Sequence, residues 1–277
     1  EGLAAMMFDA IDNRLQPLTF ERLCQWHRWL FAEQHAWLHR VIVGTLRADE
    51  PMQVVSGRLD KPVIHFEAPP RHGLEAQLTQ FIDWFNRSLH EPLLDPLVRA
   101  AIAHLWFVTI HPFDDGNGRM TRALTDLALA QADDQSIRLY AMSVAILERR
   151  SDYYRILEQT QKSTLDITAW LVWFLETLDA TLEHALDTIQ RTLMKSRFWQ
   201  RPETLDISPE QQKVLNRLLD GGENGFDDGI SASQYQKVAK VSKATATRHL
   251  TQLVDKGLLR KLPGGGRNTR YHIQDRE

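Results

Sequence analysis

The chain has 277 residues, 43% hydrophobic and 25% charged, with a formal net charge of −3, an ordinary composition for one large core or two domains. Its single cysteine, Cys24, excludes an intrachain disulfide framework and a cysteine-built zinc site, and fits a reducing, cytoplasmic setting. No apolar run reaches membrane-spanning length, and EGLAAMMFDAID has neither the basic start nor the apolar middle of a signal peptide.

Most of residues 1–207 predict helix. The chain does not begin with Met, which fits a fragment or a processed product. FERLCQWHRWLFAEQ places Leu23, Trp26, Trp29 and Leu30 at helical spacing. In MQVVSGRLDKPVIHFEAPP two short β-prone runs, Gln53–Val55 and Val63–Phe66, flank SGRLDK, which predicts a projecting β-hairpin. LEAQLTQFIDWFNRSL and PLVRAAIAHLWFVTI resume the helical pattern, followed by TRALTDLALAQA, DYYRILEQTQK and a long stretch from about Ile167 to Lys195. Prolines in RPETLDISPEQQ place a domain boundary at about residue 203. Beyond it, SPEQQKVLNRLLDGG, SASQYQKVAK and SKATATRHLTQLVDKG predict three helices. Ser231 or Ser233 and Ser242 are N-caps, the turn lies around Val241, and Gly257 is a C-terminal stop. LLRKLPGGGRNTRYHI predicts strand, glycine turn, strand, which completes the order of a winged helix-turn-helix. Residues 208–277 carry 12 Lys+Arg against 8 Asp+Glu, a net of +4 on an otherwise acidic chain.

The stretch HPFDDGNGRMTR, residues 111–122, concentrates the chemistry. It follows an apolar helix, about Leu97–Ile110, and Pro112 pushes His111 out of the α region. Gly116 and Gly118 permit backbone angles other residues resist, so successive N–H groups can converge on an anion. A helix starting at about Asn117 directs its positive dipole end at the same spot. Arg119 and Arg122, one turn apart, suit phosphate oxygens. Asp115 fits a Mg²⁺ ion shared with substrate phosphates. These residues describe a polyphosphate site with a histidine base beside it.

HPFDDGNGRMTR resembles the signature of Fic-domain proteins, histidine-x-Phe-x-Asp/Glu-Gly-Asn-Gly-Arg-x-x-Arg, with every fixed position matched. The resemblance implies a mainly α fold: a Fic helical core over 1–202 with a hairpin flap at about 51–68, then a winged helix-turn-helix over 203–277. The order of parts is similar to the subgroup with a separate N-terminal helical domain, which has no counterpart in these residues.

The resemblance also implies an activity: transfer of AMP from ATP to a Ser, Thr or Tyr hydroxyl of a target protein, or of the chain itself, with release of pyrophosphate. His111 would be the general base, Phe113 the buried anchor of the loop, and Asp115 the Mg²⁺ ligand. Gly116, Asn117 and Gly118 would form the anion hole, with Arg119 and Arg122 on the phosphates. The flap, with Val54, Val55, Val63, Ile64 and His65, would hold the target in extended form, and Tyr153 and Tyr154 would border the adenine. In the C-terminal part, Ser242, Lys243, Thr245, Thr247 and Arg248 on the recognition helix and Arg267 and Arg270 on the wing would meet DNA. Phosphorylation, phosphocholine transfer or AMP removal stay open, as do a nucleotide-sensing transcriptional regulator and a homodimer.

Many family members carry a Ser/Thr-x-x-x-Glu-Gly/Asn helix whose Glu blocks the second motif arginine. Glu1-Gly2 matches only its last two residues, and the segment reads instead as the start of the core. Without that helix, Arg122 is expected to be free and the chain constitutively competent.

Overall fold

A computed structural model describes residues 1–32, 41–58, 61–133, 142–221, 226, 228–263 and 269–274. The described residues are mainly helical. They divide into two compact units, Glu1–Glu183 and His184–Glu277. The division falls within one long helix rather than at the prolines near residue 203.

In the first unit, α1 (Gly2–Asp12) and α2 (Phe20–Leu30) precede a hairpin of β1 (Gln53–Arg58) and β2 (Lys61–Glu67). Then come α3 (Leu74–Ser88), α4 (Pro96–Ile110), α5 (Asn117–Asp133), α6 (Met142–Glu148), α7 (Arg150–Gln161) and α8 (Thr168–Trp199). The hairpin strands are longer than the β-prone runs suggest. The register skips between Val54 and Val55, leaving His65 as the extra residue of β2. The side chains of Val55, Val63 and His65 lie outside the described part of the structure.

The core of this unit is built around α4. Its sequence PLVRAAIAHLWFVTI is apolar on nearly every face, which marks a helix surrounded by others. Asp95 caps its start by accepting from Leu97 N and Val98 N, with Pro96 in the first turn where its missing N–H costs nothing. Met6 and Ala10 of α1, Leu23 and Trp26 of α2, and Phe81 and Phe85 of α3 pack into one cluster with Phe107, Leu124, Leu127, Trp170 and Phe174. EGLAAMMFDAID is thus part of this core, and Gly2 meets the main chain of Trp29 so closely that a Cβ would overlap its carbonyl. The buried Arg99 is satisfied by Ser88 Oγ at 2.8 Å and Phe85 O at 2.7 Å, with its guanidinium over the Phe85 ring.

The second unit continues from α8 through α9 (Pro209–Asp220), β3 (Ile230–Ser231), α10 (Ala232–Ala239), α11 (Lys243–Asp255), β4 (Leu259–Lys261) and β5 (Arg270–Ile273). The strands form one antiparallel sheet in the order β3-β5-β4. The two-residue β3 is absent from the sequence expectation, because two residues carry no alternation to read. Ser208 and Ser231 each form a capping box, with Gln211 and Gln234. Lys240 takes a left-handed conformation that ends α10, and Ser242 caps α11 two residues later. Val214, Leu218, Tyr235, Leu250, Leu253 and Ile273 close a separate core.

Candidate active site

The site begins where α4 stops. His111 caps its C-terminus with φ 50° and ψ 58°, a left-handed conformation that costs a non-glycine residue about 1–3 kcal/mol. Pro112 explains the stop, because it excludes the helical conformation for the residue before it. Three hydrogen bonds hold the strained residue. Its N–H donates to Phe107 O at 3.1 Å, its carbonyl accepts from Arg47 Nε at 2.9 Å, and its ring Nδ1 lies 3.1 Å from Val108 O. A carbonyl only accepts, so Nδ1 carries the proton and Nε2 presents a lone pair. Burial holds the imidazole pKa below its usual value. The Val108 bond works against that shift, and the Arg47 charge adds to it.

Phe113 is fully buried and anchors the loop in the core. Asn117 clamps it: Oδ1 accepts from Phe113 N at 2.9 Å and Nδ2 donates to Phe113 O at 2.7 Å. The Asn117 side chain is therefore spent on the loop's own backbone, which leaves its main chain for the expected anion hole of converging backbone N–H groups. Gly116 has φ 79°, and a Cβ there would stand 2.8 Å from Leu30 Cδ2 and 2.9 Å from Phe31 Cε2, so both its backbone angle and its packing require glycine. Gly118 is different: a Cβ there would meet nothing within 4 Å.

The expectation from sequence contains neither His27 nor Arg47, and both hold this loop. His27 is fully buried and stacks on Phe113 with ring centroids 4.5 Å apart. Its Nδ1 accepts from Gly44 N at 2.9 Å, so Nε2 carries the proton and donates to Asp115 O at 3.0 Å. Burial keeps this imidazole neutral by lowering its pKa, although the Asp115 carbonyl and the nearby carboxylates pull the other way. Arg47, 2% exposed, donates to the carbonyls of both His111 and Pro69, and its own N–H donates to Pro112 O at 3.0 Å. It ties the end of α4 to the chain that leaves β2. The only sequence signal for His27 is its place on the buried face of FERLCQWHRWL; Arg47 has none.

The two carboxylates part in function. Asp114 accepts from Ile42 N at 3.2 Å and fastens the segment ahead of the hairpin. Asp115 is exposed, with Oδ1 accepting from Gly116 N and Oδ2 3.8 Å from the Arg119 guanidinium. Among the described residues no group of three or more His, Cys, Asp or Glu side chains is placed to share a metal ion. A lone accessible carboxylate still fits Mg²⁺, which commonly takes one or two protein carboxylates and completes its shell with substrate phosphates and water.

These residues line one cavity of about 430 Å³. His111, Asp115, Gly116, Asn117 and Gly118 form one side of its wall, with Arg119 and Arg122 on the first turns of α5. Arg119 also lies over the Phe31 ring at 5.0 Å. The hairpin contributes Gln53, Val54 and Phe66, while Ile64 is exposed. From α7 come Tyr153, Tyr154, Glu158 and Gln161. Tyr153 is 8% exposed and Tyr154 40%.

In the second unit Ser242, Lys243, Thr247 and Arg248 are exposed on α11 and its cap, and Thr245 is half-buried. The hydroxyls of Ser242 and Thr245 bond each other in that cap at 2.9 Å. Arg270 sits at the start of β5 and donates from its guanidinium to Gly229 O at 2.9 Å. Arg267 lies outside the described residues.

Residues 17–129 match the Fic/DOC family, and that span contains every loop residue described above. The chain is 30% identical over 149 residues to the protein adenylyltransferase fic-1 of Caenorhabditis briggsae and 32% identical over 147 residues to the protein adenylyltransferase Fic of Drosophila willistoni. Each match spans 53% of this chain but only 27% of the relative's length. Among solved structures, a Fic family protein from Desulfovibrio desulfuricans G20 aligns over 99% of this chain and 74% of its own, with TM-score 0.53 and 21% identity. Fic-1 of C. elegans aligns over 69% of this chain and 51% of its own, with TM-score 0.51 and 22% identity. At those identities the likeness is one of fold.

Proposed function

We propose that the chain is a protein adenylyltransferase that moves AMP from ATP to a Ser, Thr or Tyr hydroxyl of a target protein. The observation that carries this reading is the free Nε2 of a neutral His111 on a cavity that also holds the loop glycines and two arginines. The target hydroxyl attacks the α-phosphorus, and its proton passes to His111 Nε2. The bond from the α-phosphorus to the bridging oxygen breaks, and pyrophosphate leaves. Arg119 and Arg122 neutralise the phosphates, with Arg122 toward the γ end. Asp115 would hold Mg²⁺, an ion that would supply charge neutralisation on the phosphates when bound. The open space over Gly118 suits a nucleotide, since the protein's own packing makes no demand there for glycine. The hairpin edge offers backbone groups to an extended target segment. The relatives named as adenylyltransferases support the same reaction.

Incubating the protein with ATP and Mg²⁺, alone and in a cell lysate, is expected to add the mass of AMP to the chain or to another protein and to release pyrophosphate. A phosphate adduct, or no adduct at all, would overturn the reading.

We further infer that the second unit is a winged helix-turn-helix that binds DNA. The order α9-β3-α10-α11-β4-β5, with β5 central in the sheet, and the exposed Lys243 and Arg248 on α11 favour it. Replacing both by Ala is expected to lower the salt dependence of duplex binding by roughly two units of log–log slope, about 0.9 per lost phosphate contact. Failure of the unaltered protein to bind duplex at low salt would sink the inference.

A further inference from the structure

His104 lies in the middle of α4, fully buried, and does not line the cavity. Its two ring nitrogens are both engaged, Nδ1 with Thr125 Oγ1 at 2.8 Å and Nε2 with the Tyr153 hydroxyl at 3.0 Å. The direction of these bonds follows from the neighbours. Thr125 donates its only proton to Thr121 O at 2.8 Å, and Thr121 donates in turn to Asn117 O at 2.7 Å. His104 Nδ1 must therefore be the donor to Thr125, which leaves Nε2 to accept from Tyr153.

Tyr153 thus donates to His104 and His104 to the Thr125 hydroxyl, while the Thr125 and Thr121 hydroxyls each donate to the main-chain carbonyl four residues earlier on α5, the last of these being Asn117 O. Tyr153 and Asn117 are both residues of the cavity wall. Asn117 clamps the anion loop, and Tyr153 stands on α7 at the other side.

We propose that His104 is a positioning residue for nucleotide binding, latching Tyr153 to the helix that carries Arg119 and Arg122. The inference rests on the reading of the cavity as an ATP site. Packing alone does not demand a histidine here. An apolar side chain would fill the volume, whereas the two nitrogens satisfy two hydroxyls and fix where the Tyr153 oxygen points.

Titration plays no part in the latch. Burial takes the His104 pKa down to about 3, with the Arg122 charge adding to the shift, and burial pushes that of Tyr153 up. The pair stays neutral through the range in which a histidine base works.

The test uses the full chain carrying His104→Phe, Tyr153→Phe, both together, or His104→Gln. ATP affinity is read by calorimetry, and KM and kcat by AMP transfer. Each Phe variant is expected to weaken ATP binding and raise KM about tenfold, the weight of one or two hydrogen bonds. The loss is expected to fall in KM rather than kcat. The double variant is expected to be no weaker than either single one, because both remove the same latch. His104→Gln, which keeps one donor and one acceptor, is expected to recover most of the affinity. Additive losses, unchanged ATP affinity in Tyr153→Phe, or a loss confined to kcat would overturn the proposal. If His104→Phe does not fold, Tyr153→Phe and His104→Gln still decide it. If the unaltered chain does not bind ATP, the ATP-site reading fails; if it binds and the variants match it, the latch alone fails.

Discussion

Replacing His111 by Ala is expected to lower AMP transfer by about 10²–10⁴-fold, the usual contribution of a positioned general base, while ATP still binds. The geometry separates the two effects. In the proposed reading the phosphates would face the loop glycines and the arginines of α5, and His111 would contribute only the ring whose Nε2 presents a lone pair. Calorimetry with ATP and a transfer assay on the same variant would show affinity retained and kcat lost. His111 also occupies a left-handed conformation, in which Ala is strained. His111→Asn is therefore the companion variant, because asparagine tolerates that region better than other non-glycine residues. It is expected to match Ala in rate and exceed it in stability.

The pH profile carries its own sign. A base works deprotonated, and burial lowers the pKa of this one. Transfer is therefore expected to be flat around neutral pH and to fall only below the ordinary imidazole range as Nε2 takes up a proton. A histidine variant that transfers AMP at the unaltered rate would remove the base from the mechanism.

The parts of this molecule that a sequence reveals are those whose partners are close in the chain. His111, Phe113, Gly116 and Arg119 sit within nine residues, and Pro112 announces the helix end that positions the first of them. The helical core is readable from Leu23, Trp26 and Leu30 because a 3.6-residue period needs only local spacing. His27 and Arg47 escape such a reading for a physical reason. Their partners are main-chain carbonyls at Asp115 and His111, 88 and 64 residues away. A carbonyl belongs to every residue, so nothing in the one-letter string marks it as an acceptor. Prolines locate the 3₁₀ turn at Pro202–Thr204, whereas α8 continues unbroken through the division at Glu183.

Asn117→Ala is expected to differ from the His111 variants in kind, losing stability, ATP binding and transfer together. The side chain makes two hydrogen bonds, both to the backbone of Phe113, and all of these atoms are buried. Removing it strands one donor and one acceptor without water, at about 1–3 kcal/mol each, so a total of about 2–6 kcal/mol is expected. Phe113 is the fixed point of the loop. On one side lies His111, two residues away, and on the other Asp115 and Gly116, whose positions His27 supports only through a single carbonyl. Loosening the clamp therefore moves the base, the carboxylate and the anion hole at once. Asn117→Asp tests the assignment more finely. It keeps the acceptor for Phe113 N but sets a carboxylate oxygen against Phe113 O, where a donor is required. Urea midpoints and ATP affinity are expected to fall in both variants. A midpoint and KM unchanged from the parent in Asn117→Ala would mean that the clamp holds nothing, and that the loop owes its shape to the buried Phe113 ring and the glycines alone.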